Sequence, residues 1–330
     1  MSQHTSHEIK MYGEIKLYAG SGSPELAQSI ADYLKQKLSP REVIQFPNEN
    51  IFIQLNSSAR GQDVYVIQAT SSPVHYNLME LLIMIQTIRL DSAARITAVI
   101  PYFAYGRSDK KDQPRVPITA RLVADMIEVA GADRYMTFDP HAGQVQGFFS
   151  IPGDVLTSSH MISDHIKDNL FKHMDSPVVV ATDLGFAKKG RNYALDMDIP
   201  IAFIEKRRAG NDSKAEALSL IGNVKDRDVI IVDDEVDTGG SIAEAVSVVE
   251  EQGAKDIYLA FIHPLLSLDA AEKLAALPIK QIITTDTVPM PPEKKKLLEG
   301  RLTTLSIAPM LGEVIKRAHE GRSVGEMFNE

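Results

Sequence analysis

A chain of 330 residues has room for one large or two medium domains, and 44% hydrophobic with 24% charged residues is the make-up of an ordinary soluble globular protein. It has no cysteine, which excludes disulfides, thiolate nucleophiles and cysteine-ligated metals. A formal net charge of −9 argues against nucleic-acid binding through a broad basic surface. No apolar run reaches the length of a membrane span, and the polar start Met1–Lys10 lacks the core of a signal peptide, so a cytoplasmic location without a membrane partner is expected. Basic residues cluster at 107–115, 188–191 and 205–208. Such local positive charge suits a polyphosphate, the more so if a divalent cation accompanies it.

In chain order the pattern predicts a strand at Ile15–Ala19, a helix at Pro24–Leu38, a strand at Val64–Gln68, a helix at Asn77–Asp91 and a strand at Ile96–Ile100. A helix at Ile118–Ala130, a strand at Tyr135–Phe138, a helix at Ser159–Phe171, a strand at Val178–Ala181 and a helix at Ala187–Asp196 follow. The remaining elements are strands at Ala202–Ile204 and Val229–Val232, a helix at Ser241–Gln252, a strand at Ile257–Ile262, a helix at Ala270–Ala276 and a strand at Gln281–Thr284. Alternation of this kind predicts an α/β fold with parallel sheets. Similar helix-to-strand turns, Gly131-Ala132-Asp133 and Gly253-Ala254-Lys255, hint at two copies of one fold, although glycine after a helix is a common cap. The expected boundary lies at about 150–158.

The most informative stretch is Val229 to Ser241. An apolar run ends in adjacent carboxylates, Asp233 and Asp234; a turn follows, Asp237-Thr238-Gly239-Gly240-Ser241, and then a helix with Ile242, Ala245, Val246 and Val249 on one face. Strand, glycine-rich loop and helix N-terminus together cradle a phosphate, with backbone N–H groups and the Thr238 and Ser241 hydroxyls as donors. The acids suit sugar hydroxyls or a bridging metal. A cradle beside a diol-binding pair fits a sugar phosphate, and the Gly-x4-Gly-Lys pattern of a Walker loop is absent at this site.

Four further clusters follow strand ends, where open α/β sheets bind ligands. Arg107-Ser108-Asp109-Lys110-Lys111 could grip a triphosphate or be a solvated loop. In Asp139-Pro140-His141 the imidazole suits a metal and Asp139 could orient it; a structural histidine is the alternative. Asp183-Leu184-Gly185-Phe186-Ala187-Lys188 could hold Mg²⁺ and a diphosphate, or Asp183 could cap a helix. Glu205 to Lys214, with Lys206 and Arg208, reads as a mobile basic loop, either a closing lid or an exposed segment.

The loop 233–241 resembles the phosphoribosyl diphosphate (PRPP) site of type I phosphoribosyltransferases (PRTs) and PRPP synthetases. Gly-Ser-Pro-Glu-Leu-Ala (22–27), Asn-Leu-Met-Glu-Leu-Leu-Ile-Met-Ile (77–85), Gly-Arg-Ser-Asp-Lys-Lys-Asp (106–112), Gln-Val-Gln-Gly-Phe-Phe (144–149) and Ser-Val-Gly-Glu-Met-Phe (323–328) extend the likeness. From about Lys16 to Phe328 the chain resembles the ribose-phosphate pyrophosphokinases of the phosphate-regulated type; ordinary PRTs share only the 233–241 loop.

The resemblance implies two PRT-like α/β domains, each a mainly parallel sheet flanked by helices: 1–157, joined by the tail from about 318 to 330, and 158–317. It implies transfer of diphosphate from ATP to the 1-hydroxyl of ribose 5-phosphate, with Mg²⁺, for nucleotide biosynthesis. By motif, Asp237, Thr238, Gly239, Gly240 and Ser241 would hold the 5-phosphate, and Asp233 and Asp234 the ribose hydroxyls and a Mg²⁺ shell. His141 and Asp183 would place the Mg²⁺, residues 183–188 would form the diphosphate loop, and Lys206 and Arg208 would be the catalytic lid pair. Arg107 and Ser108 would bind ATP, with Phe46, Asn48 and Asn50 reaching adenine from a neighbouring subunit of a homo-oligomer, a hexamer of dimers. Ser58, Arg60 and Ser306 lie where the family builds its phosphate/ADP effector site. The chain departs from the family pattern at Phe186 (usually Gly), Asn50 (usually Glu), Ser108 (usually Gln), Pro140 (usually Leu) and Glu205 before the lid lysine. Two alternatives stay open: a catalytically weakened regulatory paralogue, and a phosphoribosyltransferase.

Overall fold

The computed structural model describes residues 12–208 and 216–328, which fall into two compact units. One comprises the chain up to Thr137, Ala142–Val155 and the residues from Ala308 onward; the other comprises Phe138–His141 and Leu156–Ile307. Beside the expected division at 157/158 with a tail from 318, the chain divides at 155/156 and at Ala308, and four residues, 138–141, group with the second unit.

The first unit contains β1 (Ile15–Ala19), α1 (Pro24–Tyr33), β2 (Arg41–Gln45), β3 (Ile51–Leu55), β4 (Asp63–Ile67), α2 (Val74–Leu90), β5 (Arg95–Ile100), α3 (Thr119–Ala130), β6 (Arg134–Phe138) and β7 (Gly153–Leu156). Its sheet has the order β1-β4-β5-β6-β7, and the first three pairs are parallel. Every residue of β4 and β5 is buried, which is why these strands read as continuous apolar runs. Leu81, Ile85 and Ile88 of α2 and Val123 and Ile127 of α3 pack in one core with Ile96 and Ala98.

The second unit contains α4 (Ser159–Asn169), β8 (Val178–Ala181), α5 (Ala187–Met197), β9 (Ile201–Arg208), β10 (Glu216–Ile221), β11 (Val229–Val236), α6 (Gly240–Glu251), β12 (Ile257–Pro264), α7 (Ala270–Ala276), β13 (Ile279–Thr285), α8 (Pro292–Leu297) and β14 (Leu302–Leu305). Its sheet has the order β10-β9-β8-β11-β12-β13-β14, parallel except for the antiparallel β9–β10 pair. The chain lays β9 and β10 on one side of β8 and β11 to β14 on the other, so the direction of winding reverses between β8 and β11. The last helix, α9 (Ala308–Glu320), belongs to the first unit.

Gly131 (φ +111°) and Gly253 (φ +82°) end α3 and α6 in the left-handed region and lead into a strand in each unit, the repeated turn that the sequence suggests.

Several elements differ from expectation. β9 continues through Lys206 to Arg208, where a loop is expected, because Leu218, Ala217 and Glu216 of β10 pair with Lys206, Arg207 and Arg208. β11 likewise runs through Asp233 and Asp234 to Val236, paired with Phe261, His263 and Pro264 of β12. α1 stops at Tyr33 instead of Leu38, since Lys35 turns left-handed (φ 54°). The hairpin β2–β3, β7, β10, β14, α8 and α9 are additional. β2, β3, β10 and β14 are short or half-exposed, so they carry no long apolar run. In α9, Leu311, Val314 and Ile315 carry a helical signal. A Cβ at Gly312 would meet the Tyr33 ring of α1 at 2.3 Å, so the glycine permits close helix packing.

Candidate active site

The sheet order reverses between β8 and β11, and it is beyond the carboxyl ends of strands at such a switch point that open α/β sheets take ligands. Asp233 and Asp234 lie there within β11, and alternation sends them to opposite faces. Asp233 Oδ2 accepts the Thr182 hydroxyl at 2.9 Å and its Oδ1 accepts the Asp234 N–H at 2.8 Å. Burial, reinforced by the charge of Asp234, pushes the Asp233 carboxyl well above the usual carboxylate range. Burial acts the same way on Asp234, but the His141 hydrogen bond and the Lys189 and His141 charges overcome it and bring that carboxyl down to about 2. Asp234 is therefore the ionised member of the pair.

Beyond β11 the chain turns at Asp237–Gly239 into α6. Gly239 has φ +74° and is buried, whereas Thr238, Gly240 and Ser241 are exposed. A side chain at Gly239 would have to adopt the left-handed region; at Gly240 the nearest atom to an added Cβ is Thr238 Oγ1 at 3.9 Å. The hydrogen bond from Ala243 N–H to Gly239 C=O (3.0 Å) closes the first turn of α6. The N–H groups of Gly240, Ser241 and Ile242 stand at the positive end of the helix, where an anion binds. Lys273 of α7 reaches the Thr238 carbonyl at 3.4 Å, which adds a cation beside the loop.

The loop after β8 exposes Asp183, Leu184 and Gly185 and buries Phe186. Asp183 Oδ1 accepts the Phe186 N–H at 2.7 Å, so this carboxylate shapes the approach to α5 as well as facing solvent. A Cβ on Gly185 would press on that oxygen at 3.1 Å. Phe186, in contrast, has φ −85° and ψ −4°, a conformation that needs no glycine, and its ring joins the core formed with Tyr193 and Val232. Ala187 and Lys188 open α5. Lys189, one residue further, carries its ammonium 5.8 Å from the Phe186 ring, 3.0 Å from the Pro140 carbonyl and 3.8 Å from Asp234.

The segment 138–141 brings the imidazole. His141 donates from Nδ1 to Asp234 Oδ2 at 2.8 Å, a carboxylate contact of the kind that orients an imidazole. Asp139 has φ +33° and accepts both the Ser158 N–H (2.8 Å) and the Ser158 hydroxyl (3.2 Å). Behind it, buried His263 approaches the Asp139 carbonyl with Nε2 (3.3 Å) and the Thr287 hydroxyl with Nδ1 (2.9 Å). A carbonyl only accepts, so Nε2 carries the proton; burial lowers the His263 pKa, opposed by Asp139, Glu235 and Asp234, and keeps the ring neutral.

The structure thus brings His141 and Lys189 to Asp234, with Asp233 beside it in β11. The sequence reading missed Thr182, Lys189, His263 and Lys273; only the basic run at 188–191 pointed toward one of them. Lys206 and Arg208 sit on β9, paired with Leu218 and Glu216; most of the rest of the predicted lid, 209–214, lies outside the described residues. Ser306 hydrogen-bonds Asp286 at 2.5 Å.

The other predicted positions belong to the first unit. Phe46, Asn48 and Asn50 form the exposed tip of the β2–β3 hairpin, closed by Phe46 N–H to Asn50 C=O at 2.9 Å. Arg107 is exposed, and the Ser108 carbonyl accepts the Ala120 N–H of α3 at 3.1 Å. The Ser58 hydroxyl bonds Asp91 at 3.1 Å and Arg60 is exposed.

Among the described residues, no three acidic or histidine side chains converge on one point. An all-protein metal cage is thus absent among them, but Mg²⁺ bound with phosphates takes only one or two protein ligands beside phosphate and water oxygens. An exposed Asp183 and a histidine oriented by a carboxylate fit that lesser demand.

Comparison with known proteins agrees with this geometry. Residues 15–131 match the model of the N-terminal domain of ribose phosphate pyrophosphokinase, and residues 210–329 match the phosphoribosyl synthetase-associated domain. The chain is 43% identical over 314 residues to a ribose-phosphate pyrophosphokinase of Caldanaerobacter subterraneus, covering 95% of this chain and 98% of that one. It is 42% identical to the Vibrio parahaemolyticus protein of the same name over 318 residues, covering 96% and 99%. The crystal structure of phosphoribosylpyrophosphate synthetase from Mycobacterium smegmatis superposes with a TM-score of 0.88 at 37% identity, covering 94% of this chain and 100% of that one. With identity of this level along nearly its whole length, the chain belongs to the ribose-phosphate pyrophosphokinase family.

Proposed function

We propose that this enzyme transfers the β,γ-diphosphoryl group of ATP to the 1-hydroxyl of ribose 5-phosphate, giving PRPP and AMP. The observation that carries the reading is the loop Asp237–Ser241 at the N-terminus of α6, directly after an acid pair at the switch point of the sheet. The loop amides and the hydroxyls of Thr238 and Ser241 take the 5-phosphate, and Asp233 and Asp234 take the ribose hydroxyls. Residues 183–188 receive the diphosphate, and Arg107 and Ser108 bind ATP. Lys206 and Arg208, carried on the β9–β10 pair, stabilise charge on the transferred group. Chemistry of this kind rests on positioning and electrostatics more than on a covalent nucleophile. Mg²⁺, held by His141 and Asp183 when bound, supplies neutralisation of the phosphate oxygens.

The same reading extends to assembly and control. A homo-oligomer, a hexamer of dimers, would let the hairpin tip with Phe46, Asn48 and Asn50 serve a neighbour's adenine. Ser58, Arg60 and Ser306 would answer phosphate and ADP, and a cytoplasmic setting suits nucleotide biosynthesis.

The test is product analysis. The purified chain with ATP, ribose 5-phosphate and Mg²⁺ should form AMP and PRPP one for one, stop on chelation and resume when Mg²⁺ is restored. ADP in place of AMP, or no turnover, would overturn the reading.

A further inference from the structure

His263 lies on β12 beside Glu235 of β11 and is buried. Neither the phosphate loop nor the acid pair uses it, yet a histidine in a core must find partners for both ring nitrogens. Thr287 offers a hydroxyl that can donate or accept; the Asp139 carbonyl can only accept. The consistent arrangement has Nε2–H donating to Asp139, the Thr287 hydroxyl donating to Nδ1, and the Thr285 hydroxyl taking the Ile262 carbonyl at 2.8 Å. A threonine cluster thereby fixes one tautomer and aims one N–H at one peptide carbonyl.

That carbonyl opens the short segment that carries His141. Asp139 stands at φ +33°, a positive φ that is uncommon for a non-glycine residue though less so for aspartate. Its N–H donates to the Leu156 carbonyl at 2.9 Å and its carboxylate is tied to Ser158. Two residues on, His141 meets Asp234. A rotation of the Asp139–Pro140 peptide would carry the imidazole off the carboxylate, and the His263 N–H opposes that rotation.

We propose that His263 is a positioning residue for the reaction: through the Asp139 carbonyl it sets the backbone turn that presents His141 to Asp234. It touches neither substrate nor reacting atoms. The inference rests on the role given above to His141, and the test separates the two.

His263→Gln keeps an amide N–H near the place of Nε2, whereas His263→Asn retains a partner for Thr287 but is too short for Asp139. H263N should raise the KM for Mg-ATP by roughly ten- to a hundredfold, the range found when partners that orient a ligating histidine are lost. The KM for ribose 5-phosphate should stay within about twofold, the scatter expected where no contact is lost, and H263Q should stay close to wild type. The His141 Cε1 resonance in carbon-13-labelled protein, assigned by its absence in H141A, should move in H263N and not in H263Q. In a cycle with H141A, the H263N effect on Mg-ATP should disappear. Equal loss for both substrates, identical behaviour of the Gln and Asn variants, or additivity with H141A would overturn the proposal while leaving the role of His141 intact. Wild-type kinetics in H141A would overturn both.

Discussion

Asp233 and Asp234 are chemically identical neighbours that the fold drives apart in acidity. Asp234 gains a histidine and a nearby lysine, while Asp233 gains only hydroxyl and amide donors and faces the charge of its neighbour. A carboxyl whose pKa is raised by folding contributes its stability below the unfolded pKa of about 3.9 and loses it as pH rises through the folded value. At pH 7 the raised pKa of Asp233 therefore weakens the unliganded fold, because the unfolded chain ionises there more readily. Asp233→Asn should raise Tm at pH 7 by about 2–4 °C, the equivalent of 1 kcal/mol in a domain of this size, while lowering kcat/KM for ribose 5-phosphate. The Tm gain should shrink toward zero below about pH 4, where both proteins are neutral at this position. Thermal melts across pH check it; a gain that persists at low pH would point to packing instead. The acids, the glycines and His141 were legible as chemistry because of their type and spacing. Lys189 and His263 were not, because an ordinary helix lysine and an ordinary strand histidine gain meaning only from what lies across the sheet.

At the scale of elements, the loop Asp237–Ser241, proposed above for the 5-phosphate, separates fold from binding. Gly239 needs a left-handed backbone that costs an alanine roughly 1–2 kcal/mol, whereas Gly240 does not. Gly239→Ala should lower both Tm and affinity for ribose 5-phosphate. Gly240→Ala should leave Tm within about 1 °C, its Cβ meeting nothing closer than ordinary contact, yet raise the KM for ribose 5-phosphate by about tenfold if the Cβ intrudes on the anion. Calorimetry and steady-state kinetics on the two variants separate these outcomes. Strand ends were the least legible feature: β9 and β11 extend through charged residues because neighbouring strands supply ladder partners there, and an apolar run cannot report a partner.

At the scale of the whole molecule, a buried polar network ties the C-terminal helix to the sheet of the first unit. Arg95 clasps Asp63 with bonds of 2.7 and 2.6 Å, Tyr65 and His319 reach the same carboxylate at 3.0 and 2.8 Å, and Arg95 also holds the Ala318 carbonyl at 3.0 Å. Arg95→Met removes the bidentate partner of a buried carboxylate that His319 and Tyr65 still reach, so the loss should fall below the roughly 3–5 kcal/mol of a buried charge left with no partner. Urea unfolding should register that loss, and hydrogen exchange should show lower protection in β4, β5 and α9 than in β11 and β12.

By itself the sequence determined the α/β alternation and the glycine-rich turn after the paired carboxylates, because periodicity, glycine and adjacent acids act over a few residues. The tertiary structure decided what spans the chain. It returned α9 to the first unit and grouped residues 138–141 with the second. It also placed His141 on Asp234, 93 positions away, and His263 behind Asp139, 124 positions away. Contacts over such separations arise from sheet order and packing, which no local pattern of residues encodes.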